Sequence, residues 1–209
     1  MNGGPIQRLV TSGTFELDGG SWEVDNNIWI VGDDNEVVVF DAAHTAEPII
    51  EAVGGRHVVA VVCTHGHNDH VTVAPQLSSA LDAPVLLHPA DGMLWRMTHS
   101  DSDFHSVADG DTLHVAGTSL RALHTPGHSP GSVCWHAPEL TAVFSGDTLF
   151  QGGPGATGRS FSDFPTILES ISGKLGRLPA ETVVYTGHGE STAVGDEIVH
   201  YDEWVARGS

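Results

Sequence analysis

Ligand-type side chains crowd one six-residue stretch, His65-Gly66-His67-Asn68-Asp69-His70. Imidazole nitrogen with a carboxylate suits a borderline divalent ion, zinc first, with iron or manganese as alternatives. A catalytic ion keeps one position open for its reactant, so four groups this close exceed what one such ion uses. The expectation is two ions, with His65 and His67 on the first and Asp69 and His70 on the second. The apolar run Val58-Val59-Ala60-Val61-Val62-Cys63 just before reads as a buried strand feeding a loop. Such a loop can fold ligands spaced by two around a small volume, whereas a helix would turn them to different faces. A solvated, His-rich turn is the competing reading of this stretch taken alone.

The elements that must position these groups are short. Strands are predicted at residues 8–17 and 27–31, and the latter turns through Gly32-Asp33-Asp34-Asn35 into a strand at 36–40. Further strands are predicted at 84–88, 118–124, 132–136, 140–145 and 182–186, and short helices at 48–53 and 75–81. Phe164, Ile167, Leu168, Ile171 and Leu175 fall at helical spacing. Residues 90–106, with Trp95, His99, Asp101, Asp103 and His105, show no period and read as a mobile flap. Two halves of this kind imply sheets packed face to face under outer helices.

His128, Asp147 and His188 each lie beyond a predicted strand, next to glycine, which lets the backbone turn tightly beside an ion. If those strands share a direction, one edge collects every loop. His65, His67 and His128 would then hold one ion, and Asp69, His70 and His188 the other, with Asp147 bridging both.

At 209 residues, one domain (1–209) burying about 70% of its unfolded surface is expected. A formal net charge of -19 repels phosphate backbones and anionic bilayers, which argues against nucleic-acid and membrane partners. Cys63 and Cys134 form no CxxC pair and read as buried, reduced thiols. Residues 1–17 hold no apolar segment of signal-peptide length, and nothing later resembles a membrane span, so the cytoplasm is the expected compartment.

HGHNDH, HTPGHSPGS, SGDTLF and TGHG, in that order from about Val37 to Gly189, resemble the successive motifs of the metallo-β-lactamase superfamily. Asp41, after its hydrophobic strand, resembles that family's first motif. The resemblance implies an α/β (α+β) fold, the four-layer αββα sandwich, with a dinuclear site at one edge. Superfamily membership narrows fold more than function. The zinc β-lactamases typically carry a cysteine where this chain has Asp147, which disfavours lactam hydrolysis. GDTLF with a Gly-rich loop and an arginine after it is most similar to the glyoxalase II-like (hydroxyacylglutathione hydrolase-like) group, which hydrolyses thioesters of small thiols. Two departures leave the thiol open. That group's Gly-Cys-Gly-Arg is replaced by Gly153-Pro154-Gly155-Ala156-Thr157-Gly158-Arg159, and 21 residues follow His188, too few for a C-terminal helical substrate-binding domain.

The implied activity is metal-dependent hydrolysis of an S-acyl conjugate of a small thiol, such as a lactoyl or formyl conjugate of glutathione or mycothiol. Two metals lower the pKa of a bridging water to about 7, giving hydroxide at neutral pH. Asp69 and Asp147 would orient that nucleophile, and the first ion would stabilise the oxyanion. Thiolate, from a thiol of pKa about 8.5, leaves without a strong general acid. Arg159 is the candidate contact for a substrate carboxylate or thiol carrier, against an ordinary surface arginine. His88 is a candidate pocket residue, against a surface or core histidine. Asp41 is read as a hydrogen-bond acceptor for the His-cluster loop, against a helix cap. His44, His57, His114, His124, His136 and His200 read as structural. A persulfide dioxygenase using one iron is the alternative reaction, and a noncatalytic metal-binding module the alternative from another class. The oligomeric state is left open.

Overall fold

The computed structural model describes residues 5–208; residues 1–4 and 209, which belong to the ranges read above for the leader and the domain, lie outside it. The first half forms strands β1 (Ile6–Leu17), β2 (Gly20–Gly32), β3 (Glu36–Phe40), β4 (His57–Val62), β5 (Val85–Leu87) and β6 (His105–Ser106). They pair in that order, antiparallel from β1 to β3 and parallel from β3 to β6. Between them come helices α1 (Ala46–Val53), α2 (Asn68–Val71), α3 (Ala74–Leu81) and α4 (Gly92–Thr98).

The second half contributes β7 (Thr112–Val115), β8 (Thr118–His124), β9 (Val133–Ala137) and β10 (Ala142–Gly146). A small ribbon, β11 (Leu149–Phe150) with β12 (Gly153–Pro154), precedes α5 (Phe164–Gly173). Then come β13 (Val183–Thr186), β14 (Thr192–Ala193), α6 (Val194–Ile198) and α7 (Tyr201–Arg207). The second sheet runs β14-β13-β10-β9-β8-β7. β10 and β13 are parallel, and β8 shares their direction through two antiparallel steps across β9. The three strands therefore end at the same edge.

Side-chain alternation sorts the strands into layers. Val38, Phe40, Ala60 and Val62 face Leu120, Ala122, Val133, Trp135 and Phe144 between the sheets. Val37, Val39, Val61 and Cys63 point the other way, under Ile49, Leu77 and Trp95 of α1, α3 and α4. On the far side, Cys134, Val143 and Val184 pack under Ile167 and Ile171 of α5 and Trp204 of α7. This is the expected four-layer αββα sandwich. Cys63 and Cys134 are buried free thiols, and burial raises both pKa values, that of Cys134 to about 11. Among the described residues no helix is long and apolar enough to cross a membrane.

Three differences from expectation lie close to the ligand-rich loops, while β7, the β11–β12 ribbon, β14, α6 and α7 add elements that were not expected. Residues 20–26 extend the strand at 27–31, so β1 and β2 form one long hairpin turning at Asp18-Gly19, both at positive φ (53° and 76°). The Asp-Gly pair is the usual signal for such a turn. Within residues 90–106, where a flap was expected, Gly92–Thr98 form α4 and His105–Ser106 form β6; Leu94 and Trp95 are buried, and Trp95 Nε1 donates to Ser102 O at 2.7 Å. From the middle of HGHNDH, residues 68–71 wind one helical turn, so Asp69 and His70 are presented from a helix where a loop was expected.

Candidate metal centre

The end of β4 delivers Thr64 and His65, while His128, Asp147 and His188 follow β8, β10 and β13. The side chains converge on one small volume, and His65, His67, Asp69, His70 and His128 are buried. His67 Nδ1 lies 2.9 Å from His65 Nε2 and 3.0 Å from His128 Nε2. Beside them, His70 Nε2 and His188 Nε2 are 3.2 Å apart, and Asp69 Oδ2 is 3.5 Å from the first and 3.4 Å from the second. Asp147 spans the two groups: Oδ1 is 3.4 Å from His70 Nε2, and Oδ2 is 3.6 Å from His128 Nε2 and 3.4 Å from His188 Nε2. His65 with His67 and His128, His65 with His70 and Asp147, and Asp69 with His70 and His188 each form a set that can hold a metal ion.

The outer nitrogens decide what the inner ones offer. His128 Nδ1 faces Ala156 O at 2.8 Å, and His188 Nδ1 faces Asp25 O at 2.7 Å. A carbonyl only accepts, so both rings carry their proton on Nδ1 and turn a bare Nε2 inward. His70 Nδ1 is likewise held by Asp41 Oδ2 at 2.9 Å. His65 Nδ1 meets Thr64 Oγ1, whose own proton goes to Asp41. Four rings thus aim lone pairs at one space, the arrangement in which outer acceptors fix metal-ligating histidines. Among the described residues, Asp69 Oδ1 and Asp147 Oδ1 are buried without a hydrogen-bond partner. Converging lone pairs and unpartnered carboxylate oxygens repel each other unless cations lie between them, so this donor set fits divalent ions.

Charge tells the same story. Burial, with neighbouring rings, pushes His65 well below the ordinary range and His67 to about 3. Burial opposes charge on His70 and His188 too, yet the carboxylates around them lift the pair to about 9 and about 11. Against burial, the adjacent rings hold Asp69 at about 2 and Asp147 well below its usual range. The carboxylates are therefore ionised, and without metal a proton stands where a cation fits. The strand ends must come close for this: a Cβ on Gly187 would lie 2.2 Å from Asp147 Oδ1.

All seven residues singled out as ligands are brought together. Asp41 supports them, accepting from Thr64 N at 2.8 Å as well as facing His70. Arg159 is exposed, its guanidinium 3.7 Å above the Trp22 ring. Trp22 stacks on Phe15 at 5.7 Å, and Phe15 lies 5.2 Å from His67, so a ring train leads from Arg159 to the site. His88 is not in the cluster: its ring stacks on His124 at 3.9 Å. His44, read as structural, donates from Nε2 to Asn26 Oδ1 over 2.7 Å, and Asn26 Nδ2 faces Asp69 Oδ2 at 3.1 Å and His70 Nε2 at 3.2 Å. Asn26 and the buried Asp91, which accepts from Gly66 N, were missed, since neither sits in a ligand-rich motif. Asp91 stands just before the apolar Met93-Leu94-Trp95, the one signal available, whereas Asn26, between Asp25 and Asn27, offered none.

The sequence model of the Metallo-beta-lactamase superfamily matches residues 22–188. The chain is 34% identical over 184 residues to the "Probable metallo-hydrolase YqgX" of Bacillus subtilis, covering 80% of this chain and 87% of that protein. It is 32% identical over 167 residues to a hydroxyacylglutathione hydrolase of Salmonella enteritidis, covering 78% of this chain but 62% of the relative. Among solved structures, TTHA1623 in a di-iron-bound form superposes with a TM-score of 0.75 at 32% identity, over 84% of this chain and 93% of that one. With motif order, fold and site in agreement, the chain belongs to the metallo-β-lactamase superfamily, whose members bind divalent metals.

Proposed function

We propose that this protein is a dinuclear metallo-hydrolase that cleaves a thioester of a small thiol. The observation that carries the reading is the pair of three-residue ligand sets, His65/His67/His128 and Asp69/His70/His188, spanned by Asp147. Similarity to a hydroxyacylglutathione hydrolase supports the substrate class. Two divalent ions, zinc in this reading, supply Lewis acidity for the carbonyl and lower the pKa of water toward 7. Asp69 and Asp147 stay ionised and accept the hydrogen bonds that orient the attacking water oxygen. That oxygen bonds to the acyl carbon as the water gives up a proton, the C–S bond breaks, and the sulfur leaves as thiolate and takes up that proton, giving a carboxylic acid and a thiol. The Phe15 ring, 5.2 Å from that of His67, gives the site an apolar flank on that side.

Reconstituting metal-free protein separately with zinc and with ferrous iron tests the reading against its rivals. Each form is offered S-lactoyl and S-formyl thiol conjugates, a glutathione persulfide and a β-lactam. Thiol release by the zinc form is expected. Oxygen uptake with persulfide by the iron form alone would replace the hydrolase with a dioxygenase, and β-lactam turnover without thioester turnover would replace the substrate.

A further inference from the structure

We propose that Asp91 is a positioning residue that sets the spacing of His65 and His67 against His128, an inference that rests on those three sharing one ion. Asp91 precedes α4 and is fully buried. Its Oδ2 accepts from Gly66 N at 2.7 Å and from Ser129 Oγ at 2.6 Å, and its Oδ1 accepts from Gly131 N at 2.6 Å. Gly66 lies between His65 and His67, and Ser129 follows His128. One carboxylate therefore ties the loop carrying two ligands to the loop carrying the third.

Both loops are built to admit it. A Cβ on Gly66 would fall 2.9 Å from Asp91 Cβ, and one on Gly131 would fall 2.7 Å from Asp91 Cγ. Nothing larger than glycine fits at either place. The group is costly where it stands: burial raises its pKa, with the hydrogen bonds from Ser129, Gly66 and Gly131 opposing that rise. A buried carboxylate whose donors all come from the two ligand loops is more than packing requires, since an apolar side chain would fill the space without desolvating a charge. Three donors also need an acceptor on every side. Asparagine has the same size but would turn an NH2 toward an N–H or O–H, and the loops would separate at that point. Asp91 touches no reacting atom and acts through the backbone around the ligands.

Zinc binding to metal-free wild type, Asp91→Asn and Ser129→Ala, measured by competition with a chromogenic chelator, tests this together with melting of each metal-free protein. Wild type is expected to take two equivalents. Asp91→Asn is expected to weaken one of them by about tenfold to a hundredfold and leave the other unchanged, with the metal-free melting transition retained. Ser129→Ala keeps the carboxylate and both backbone donors, so it weakens the same equivalent by a smaller factor. If Asp91→Asn does not fold, Ser129→Ala carries the test by itself. Two wild-type affinities in every variant that folds, or equal weakening of both equivalents, would overturn the inference. A wild type that binds a single equivalent would overturn the two-ion reading, and an Asp91→Asn protein that holds that equivalent as tightly as wild type would overturn the role of Asp91.

Discussion

A histidine offers a lone pair only where its proton is held elsewhere, and Ala156 O, Asp25 O, Asp41 and Thr64 do this for His128, His188, His70 and His65. Without metal, the carboxylates around His70 and His188 hold at least one proton on that pair, because pKa values of about 9 and about 11 exceed the unfolded value of about 6.5. A raised folded pKa stabilises fully below about 6.5, and that stabilisation is lost as pH rises through 9 and 11. Metal needs the rings bare, so its affinity moves the other way. Chelated protein should therefore melt at lower temperature at pH 9.5 than at pH 6.5, while the gain in Tm from added zinc grows over the same interval. A chelated protein that becomes more stable toward pH 9.5 would contradict this. The ligands were legible because histidine and aspartate in short motifs announce their chemistry. Asn26, His44 and Asp91 were not, because what they do depends on contacts between segments far apart in the chain.

Strand ends and one hairpin shape the site. The β1–β2 hairpin is tied down at both flanks: Glu16 N donates to Asn68 Oδ1 at 2.8 Å, and Ser160 N to Asp18 Oδ2 at 3.0 Å. These contacts bring Phe15 and Trp22 beside the metal loop and place Arg159 on Trp22. If the thiol carrier bears a carboxylate that the Arg159 guanidinium holds, Arg159→Ala should raise KM severalfold while leaving kcat within about twofold, since such binding is shared by ground and transition states. An unchanged KM with carboxylate-bearing thiols would remove Arg159 from the substrate's path. The strands of the sandwich could be read from alternation and apolar runs. The hairpin was read only in part, because Ser21, Glu23 and Asp25 face solvent on an edge and their pattern is polar. Helix α4 escaped notice because its seven residues are too short for a period to show.

At the scale of the whole chain, acidity and fold point the same way. A net charge of -19 favours cations, and two of its carboxylates, Asp69 and Asp147, meet five histidines at one edge of the sandwich. The order of motifs made the four layers legible before any contact was known. Substrate identity was not, since it depends on the rim around the metals more than on the ligands themselves. The claim that two ions act together is tested most directly by titrating metal-free protein with zinc while following thiol release from an S-lactoyl conjugate. Release should stay low through the first equivalent and rise steeply as the second binds, and Asp147→Ala should abolish the rise. Full activity at one equivalent, unchanged by the second, would contradict it.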